Sequence, residues 1–450
     1  MALHVIKRGL NLPITGDPEQ RIDGAAQVSR VAVMAEDYPF MKPRMHVRVG
    51  DDVKLGQLLF EDRKTEGVRF TSPGAGKVEA INRGDRRSLI SVVIRLSGDD
   101  QVSFQHFSGD APASMNGDAI RNLLVESGMW TALRTRPYSK VPAPAESCHA
   151  VFVTAMDTNP GAPSPDQVMS GREADWSAGL QVVAKLTEGK TYLCTAPGSS
   201  IGTGGVDRIS PEQFKGPHPA GLAGTHIHLL DPVNREKTAF YLDYQDVLAI
   251  GHLFRTGELD SSRVIALSGP QVNKPRLLKT RIGAFVDEIV DGQAKAGENR
   301  VVSGSVIAGR SASGEISGFL GRYHAQVSVL AEDRKQRFLG WIMPGGKMFS
   351  TVNVYLSALI PGKKFGFTTT TNGSHRAMVP IGMYERVMPL DIIPTYLLRA
   401  LVMDDLENAE KLGCLELDED DLALCSMVCP GKEDYGVALR RNLTQVWKEG

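Results

Sequence analysis

VRVGDDVKLGQLLFED (residues 47–62) and VRFTSPGAGKVEAINRGD (residues 68–85) decide how the first hundred residues are read. Each is a short strand, a Gly-Asp turn and another short strand, and side chains alternate in KVEAI and in SVVIRL (residues 91–96). Alternation of this period, broken by turn residues, predicts half-buried strands. Beyond residue 120 the pattern changes. DAIRNLLVESGMW (118–130) reads as an amphipathic helix capped by its Asp. AVFVTAMD (150–157) and TYLCTAP (191–197) are apolar runs of the kind that parallel strands show when both faces are covered. YQDVLAIGHLFRTGEL (244–259) reads as another helix. A β-rich stretch follows, from RVIALSGP (263–270) through VVSGSVIAG (301–309) to QVSVLAED (326–333). After TTTTNGSHR (368–376) the chain reads as mainly helical, with IIPTYLLRALVMDDLENAEKLG (392–413) and YGVALRRNLTQVWKEG (435–450).

At 450 residues the chain exceeds one ordinary core, so three or four domains are expected. Hydrophobic residues at 42% and charged ones at 23% mark a folded protein. The net charge is -1 and Lys and Arg are spread out, so neither nucleic acid nor an anionic lipid surface is expected as the main partner. No run approaches the ~18 to 20 apolar residues of a spanning helix, and HAVFVTAM (149–156) reads as a buried strand. The N-terminus, MALHVIKRGLNLPITG, lacks a signal peptide's long apolar region. A cytoplasmic protein is expected, touching membranes only through partners. Five cysteines, an odd number, suggest a reducing compartment rather than a disulfide framework.

The opening pattern V-x-x-G-D-x-V-x-x-G-Q-x-L, a hairpin, then S-P-x-x-G-x-V resembles the biotinyl/lipoyl-carrier hammerhead over about fifty residues. In those carriers a hairpin Lys takes the prosthetic group. Here that position falls on Thr65, and Lys64 stands one residue out of register, which turns a side chain to the other face. Lys64 is expected to be a solvated charge.

CSMVCPGK (425–432) matches the end of the ferredoxin run C-x2-C-x2-C-x3-C-P, whose thiolates hold an iron–sulfur cluster. Counting back from Cys425, the two earlier ligand positions fall on Leu422 and Glu419. VMPLDIIPTYL forms a second, more eroded copy, whose positions fall on Met378, Ile381, Tyr384 and Met388. The first copy keeps two of four soft ligands and the second none, so no cluster is expected. Cys425, Cys429 and Cys414 are expected to be buried structural residues.

The order of hammerhead, α/β domain, β-grasp segment and ferredoxin-like tail resembles the flavin-binding subunit of respiratory complex I and the electron-transport-complex C subunit. VESGMWTALRTRP, VTAMDTNPG, GPHPAGLAGTHIH, LGRYHAQVSVL, TTTTNGSHRAMVPIG and DEDDLALCSMVCPGK are similar to one family in particular, the NqrA subunits of sodium-translocating NADH:quinone oxidoreductases. SGPQVNKPRLLKTRIGAFVDEIV (268–290) resembles the β-grasp SLBB module. The resemblance implies an α/β multidomain chain: a barrel-sandwich hybrid over 1–100, a flavoprotein-like α/β domain over 101–260, an SLBB-like domain over 261–340 and a C-terminal helical domain over 341–450. It also implies a subunit of a sodium-transporting NADH:ubiquinone reductase, peripheral on the cytoplasmic side of a bacterial inner membrane. Membrane subunits and ubiquinone are its implied partners, flavins and the NADH site lie on other chains, and the isolated chain is not catalytic. A structural adaptor is the alternative.

The flavin-binding relatives carry a loop R-G-G-A-G-F-P-T whose glycines let backbone N–H groups reach a phosphate. Here WTALRTRP (130–137) puts a side chain at every position, so neither FMN nor an iron–sulfur centre is expected on this chain. The relatives' acidic strand end survives only as Asp157 in AMDTNPG (155–161). In the emptied pocket Trp130 offers a stacking face, and Arg134 and Arg136 offer donors to a quinone oxygen. GTGG (202–205) and PGGK (344–347) lack nucleotide-loop spacing and read as loops. His226 and His228 read as sharing one face of a strand with His218 nearby. Without a local carboxylate or Cys they are expected to be structural rather than metal ligands.

Overall fold

The computed structural model describes residues 2–334 and 340–449. The hammerhead stretch forms two small antiparallel sheets. One orders the strands Arg30–Met34, Leu89–Leu96, Gly76–Arg83 and Asp52–Val53, and the other Pro43–Met45, Leu58–Asp62 and Arg69–Thr71. Val78 is buried as the alternation in KVEAI predicts, whereas Ser91, Val92, Val93 and Ile94 are all buried because both faces of that strand are covered. Gly76 has φ +155°, and a Cβ there would lie 2.0 Å from the Arg95 carbonyl, so only glycine closes this strand pair. Lys64 is exposed on the turn between Leu58–Asp62 and Arg69–Thr71, beside the half-buried Thr65.

Two strands within the first 25 residues pair outside these two sheets. Leu3–Val5 runs parallel to Ile209–Lys215 at the edge of the α/β sheet. Glu19–Ala25 lies beside Arg276–Arg281 in the third sheet. Short edge strands carry too little pattern to name their partner, so tertiary packing chooses it.

The α/β sheet has the order Leu3–Val5, Ile209–Lys215, Lys190–Thr195, Ala150–Ala155, Ala239–Asp243, Arg134–Arg136. All pairs are parallel except the last. Helices Glu173–Val183 and Tyr244–Thr256 cross so closely that a Cβ on Gly251 would meet the Asp175 carbonyl at 1.8 Å. Two local expectations are corrected. The cap of helix Gly117–Glu126 is Asn116, whose side chain accepts from the Ala119 amide, and Asp118 lies in the first turn. The histidine pair stands on helix Ala223–Leu230, not on a strand; the short apolar run THIHLL fits either period.

The third sheet orders Arg310–Ser311, Asn299–Ser303, Gln326–Ala331, Ser262–Ser268, Arg276–Arg281 and Glu19–Ala25, with the short helix Val286–Val290 after the turn. Residues 335–339, at the end of the expected third unit, lie outside the described residues. The C-terminal part packs helices Tyr384–Val387, Pro394–Val402, Leu406–Lys411, Glu419–Val428 and Tyr435–Glu449 around their own apolar core. The run at 392–413 is broken at Asp404, which has φ +56°, and restarts with Asp405 as a cap. Between residues 343 and 383 the only helical turn is the 3-10 segment Leu356–Leu359, so the expected helical character begins later than residue 341.

Candidate functional site

The order of the α/β sheet reverses at Ala150–Ala155. The chain leaves this strand toward Lys190–Thr195 and Ile209–Lys215, then returns on its other side as Ala239–Asp243. Such a switch point splays the loops that follow the two strands and leaves a crevice at their carboxyl ends. A cavity of about 170 Å³ occupies it. Thr154 and Asp157 come from one strand end, Asp243 and Tyr244 from the other, and residues 323–326 close it from the third sheet. Asp420, from the first turn of helix Glu419–Val428, closes it from the C-terminal part.

Of the three residues expected to meet a ligand, only Arg134 lines the cavity. Its guanidinium lies over Tyr323 (4.6 Å) and Tyr241 (5.2 Å), and it donates to Asp418 at 2.8 Å. Its Nε has no partner among the described residues. Arg136 is 3% exposed and donates to Asp421 (3.0 Å) and the Glu416 carbonyl (3.3 Å), and its Nε too has no partner among the described residues. Trp130 corrects the expectation of a stacking face. The ring is fully buried, its indole N–H donates to the Pro142 carbonyl at 2.8 Å, and Phe240 packs edge-on against it.

The charges around the cavity are unevenly satisfied. Asp418 is bound by Arg134 and Arg440, each at 2.8 Å, and by the Ser139 hydroxyl at 2.7 Å. Against the desolvation of its burial, Arg136 and Arg134 hold its carboxyl well below the usual range. Asp420 has no side-chain hydrogen bond or ion pair among the described residues. The confined cleft and the neighbouring Asp418 push it up to about 7. Its side chain opens onto the cavity, so this desolvation belongs to a narrow cleft and not to a sealed core. Desolvation, with Asp246 next, pushes Asp243 up to about 6, and desolvation also raises Asp157, which accepts from the Asn159 backbone and side chain. The hydroxyls of Thr154 and Tyr244 find no partner among the described residues. The cleft therefore presents acids that titrate near neutrality, one arginine and unspent hydroxyls.

The sequence reading missed Asp243, Tyr244, Tyr323 and Asp420. The only signal was the acidic run DEDD at 418–421, which looks like an ordinary helix start. The other motifs resolve locally. His226 packs at a tilt against Phe214 with ring centroids 4.2 Å apart, Nε2 meets the Ala220 carbonyl at 3.0 Å, and burial pushes it down to about 3. His228 bonds Glu416 at 2.8 Å, while His218 contacts Thr158 at 3.1 Å. Two residues apart on a helix, His226 and His228 face different ways. Among the described residues no group of three or more His, Cys, Asp or Glu is placed to hold a metal. GTGG is a loop buttressed by Trp176, whose indole donates to the Gly202 carbonyl at 2.8 Å. PGGK lies in an irregular segment as well.

The five cysteines are free and buried. The Cys429 sulfur lies 3.2 Å from the Tyr384 hydroxyl and 3.3 Å from that of Tyr435. Tyr384 occupies the third ligand position of the other eroded copy. In two-cluster ferredoxins the fourth cysteine of one run serves the other run's cluster. The crossing survives here as a thiol–tyrosine contact, and Leu422, Cys425 and Met388 share the same apolar core.

Three family profiles match the chain: the NqrA N-terminal barrel-sandwich hybrid domain over residues 4–97, the NqrA second alpha/beta domain over 115–259 and the NQRA C-terminal domain over 264–314. The chain is 55% identical over 445 residues to the NqrA subunit of the Na(+)-translocating NADH-quinone reductase of Saccharophagus degradans, covering 99% of each chain. It is 53% identical, with the same coverage, to the corresponding subunit from Pseudomonas aeruginosa. An NAD+-reducing [NiFe]-hydrogenase in the air-oxidized state aligns over 50% of this chain and 48% of that one, at 15% identity and a TM-score of 0.34, a likeness too slight to bear on function. The full-length identity and the three matching domains, in the order the fold shows them, place this chain in the NqrA family, the NqrA subunits of Na(+)-translocating NADH-quinone reductases.

Proposed function

We propose that the chain is a peripheral subunit on the cytoplasmic side of a sodium-translocating NADH:ubiquinone reductase, held there by membrane subunits, and that its interdomain cavity takes a quinone headgroup. The observation that carries this reading is the chemistry of the switch-point cleft. Its acids outnumber its single arginine, and WTALRTRP replaces a glycine cradle, so a phosphate is repelled and finds no backbone to hold it. At about 170 Å³ it suits one substituted ring and not a dinucleotide. Quinone oxygens are acceptors, and Arg134 and Tyr244, which line this cleft, carry donors without partners among the described residues. A carboxyl titrating near neutrality, such as Asp420, donates to a quinone oxygen when protonated and accepts from a quinol hydroxyl when ionised. Hydride entry, the flavins and sodium passage then belong to partner chains, and this chain by itself carries neither flavin nor iron–sulfur centre.

Quinone titration of the purified chain tests the site, with Arg134→Ala and Tyr244→Phe beside the wild type. Arg134→Ala should weaken binding about tenfold or more; one affinity shared by all three proteins removes the cavity from consideration. Trp130→Ala belongs in the same series, because a loss of binding there without a fall in Tm would restore the stacking role.

A second reading, that of a structural adaptor, has its own support. Arg134 and Arg136 of the α/β sheet grip Asp418 and Asp421, and Arg440 of the last helix donates to the Tyr138 carbonyl at 2.7 Å, so the α/β domain is locked onto the C-terminal helices. A purified chain with no saturable quinone binding would favour it.

A further inference from the structure

Among the described residues, a run of exposed large apolar side chains stands in one irregular segment. Ile342, Val352, Val354, Leu356, Leu359 and Ile360 stand out into solvent, with Val354 66% and Leu359 77% exposed. The segment holds a definite shape. The Leu356 amide donates to the Pro344 carbonyl at 2.9 Å and the Ser357 hydroxyl to the Met348 carbonyl at 2.5 Å. Phe349 packs against Phe365 and Phe367 at 5.6 and 5.3 Å, and the Phe365 amide donates to the Pro13 carbonyl at 2.7 Å. An apolar face fixed by its own hydrogen bonds, yet left in water, marks an interaction surface.

Charge says what covers it. From residue 340 to residue 384 the sequence contains no Asp or Glu, in a chain with 52 of them. Four cations lie in that stretch: Lys347, Lys363, Lys364 and Arg376. Lys364 pairs with Asp17 and Lys363 donates to the Gly346 carbonyl, while Lys347 and Arg376 enter no ion pair among the described residues. The segment is irregular apart from short 3-10 turns, so many of its backbone amides and carbonyls lack a partner within a regular element. Irregular backbone does not enter lipid hydrocarbon, where such groups go unsatisfied, but a protein partner can bond them.

We infer that the 342–360 surface docks a protein segment of a partner subunit that has an apolar face and carboxylates beside it. This rests on the proposed seat within a multi-subunit complex.

The test measures binding of the purified full-length chain to the detergent-solubilised subcomplex of the remaining subunits. Val354→Asp with Leu359→Asp should weaken binding about 100-fold, with Tm unchanged because both side chains are exposed. Lys347→Glu should weaken it about fivefold at low salt, an effect that fades as salt rises. Val437→Asp, on the exposed side of helix Tyr435–Glu449, should leave it unchanged. A double variant that binds like wild type sinks this surface alone. Failure of the wild type to bind sinks the seat on partner subunits as well. Equal binding of wild type to vesicles of anionic lipid lacking any subunit assigns the surface to lipid and overturns the inference.

Discussion

Two regions of this molecule, the ferredoxin-like tail and the switch-point cleft, arrange their side chains in opposite ways. In the ferredoxin-like tail Leu422, Met388 and Tyr384 are buried among apolar neighbours and Cys429 lies against two tyrosine hydroxyls, while Ile381 stays exposed. At the switch point of the α/β sheet a cleft stays open, edged by acids and by hydroxyls without partners among the described residues. Filling a site with hydrocarbon gives stability and ends its chemistry. Leaving polar groups unpaired in a cleft costs stability, and it is the arrangement expected where a ligand completes the bonding.

The contrast breaks most visibly at the lock between the two regions. Arg136→Met strips Asp421 of its buried partner and should destabilise the fold by about 3–5 kcal/mol, read as a drop in the denaturant midpoint; a change under ~1 kcal/mol would mean the acids at 418–421 are not held by this pair. Leu422→Ala, at a former ligand position, should cost about 2–5 kcal/mol like any core truncation. Thr154→Ala at the cleft should cost less than about 1 kcal/mol, because its hydroxyl has no partner to lose among the described residues. Similar losses at both would erase the distinction between refilled and open.

Asp243 gives a smaller, pH-linked effect. Its folded carboxyl titrates at about 6, above its value of 3.8 in the unfolded chain. Between those values the folded state binds the extra proton, so its contribution is fully present below pH 3.8 and is lost as pH rises to about 6. Asp243→Asn keeps the cap on the Asp246 amide, since Asn caps as well as Asp. Tm measured from pH 4 to 7 should therefore fall less steeply in the variant, with a gain of about 1 kcal/mol at pH 7; parallel curves would refute the raised carboxyl. Lys64→Ala should do least, within about 0.5 kcal/mol, and the mass of the intact chain should show Lys64 unmodified.

Legibility followed the range of the interactions. Alternation in KVEAI and SVVIRL and the apolar run AVFVTA announce strands because both faces of a strand are visible in adjacent letters. The same local logic failed for the histidine pair, where six apolar-rich letters suit a helix turn or a strand equally. Trp130 was read as a ligand face because its neighbours in sequence invite that role, and the Phe240 and Pro142 contacts that bury it come from elsewhere in the chain. Asp420 was invisible as a cleft residue, since nothing near it in sequence tells that it meets the distant strand ends at Asp243 and Thr154.

Sequence alone determined the domain types, the glycine-free loop where a phosphate cradle would lie and the absence of the thiols a cluster needs, because each depends on which side chains exist and on near neighbours. Tertiary structure alone decided that Leu3–Val5 and Glu19–Ala25 pair outside the two small sheets, that Arg136 is buried against Asp421 while Arg134 still faces a cavity, and that Asp420 stands at its edge without a partner among the described residues. Those outcomes are set by long-range packing and by the desolvation it imposes, and a linear string of residues does not carry either quantity.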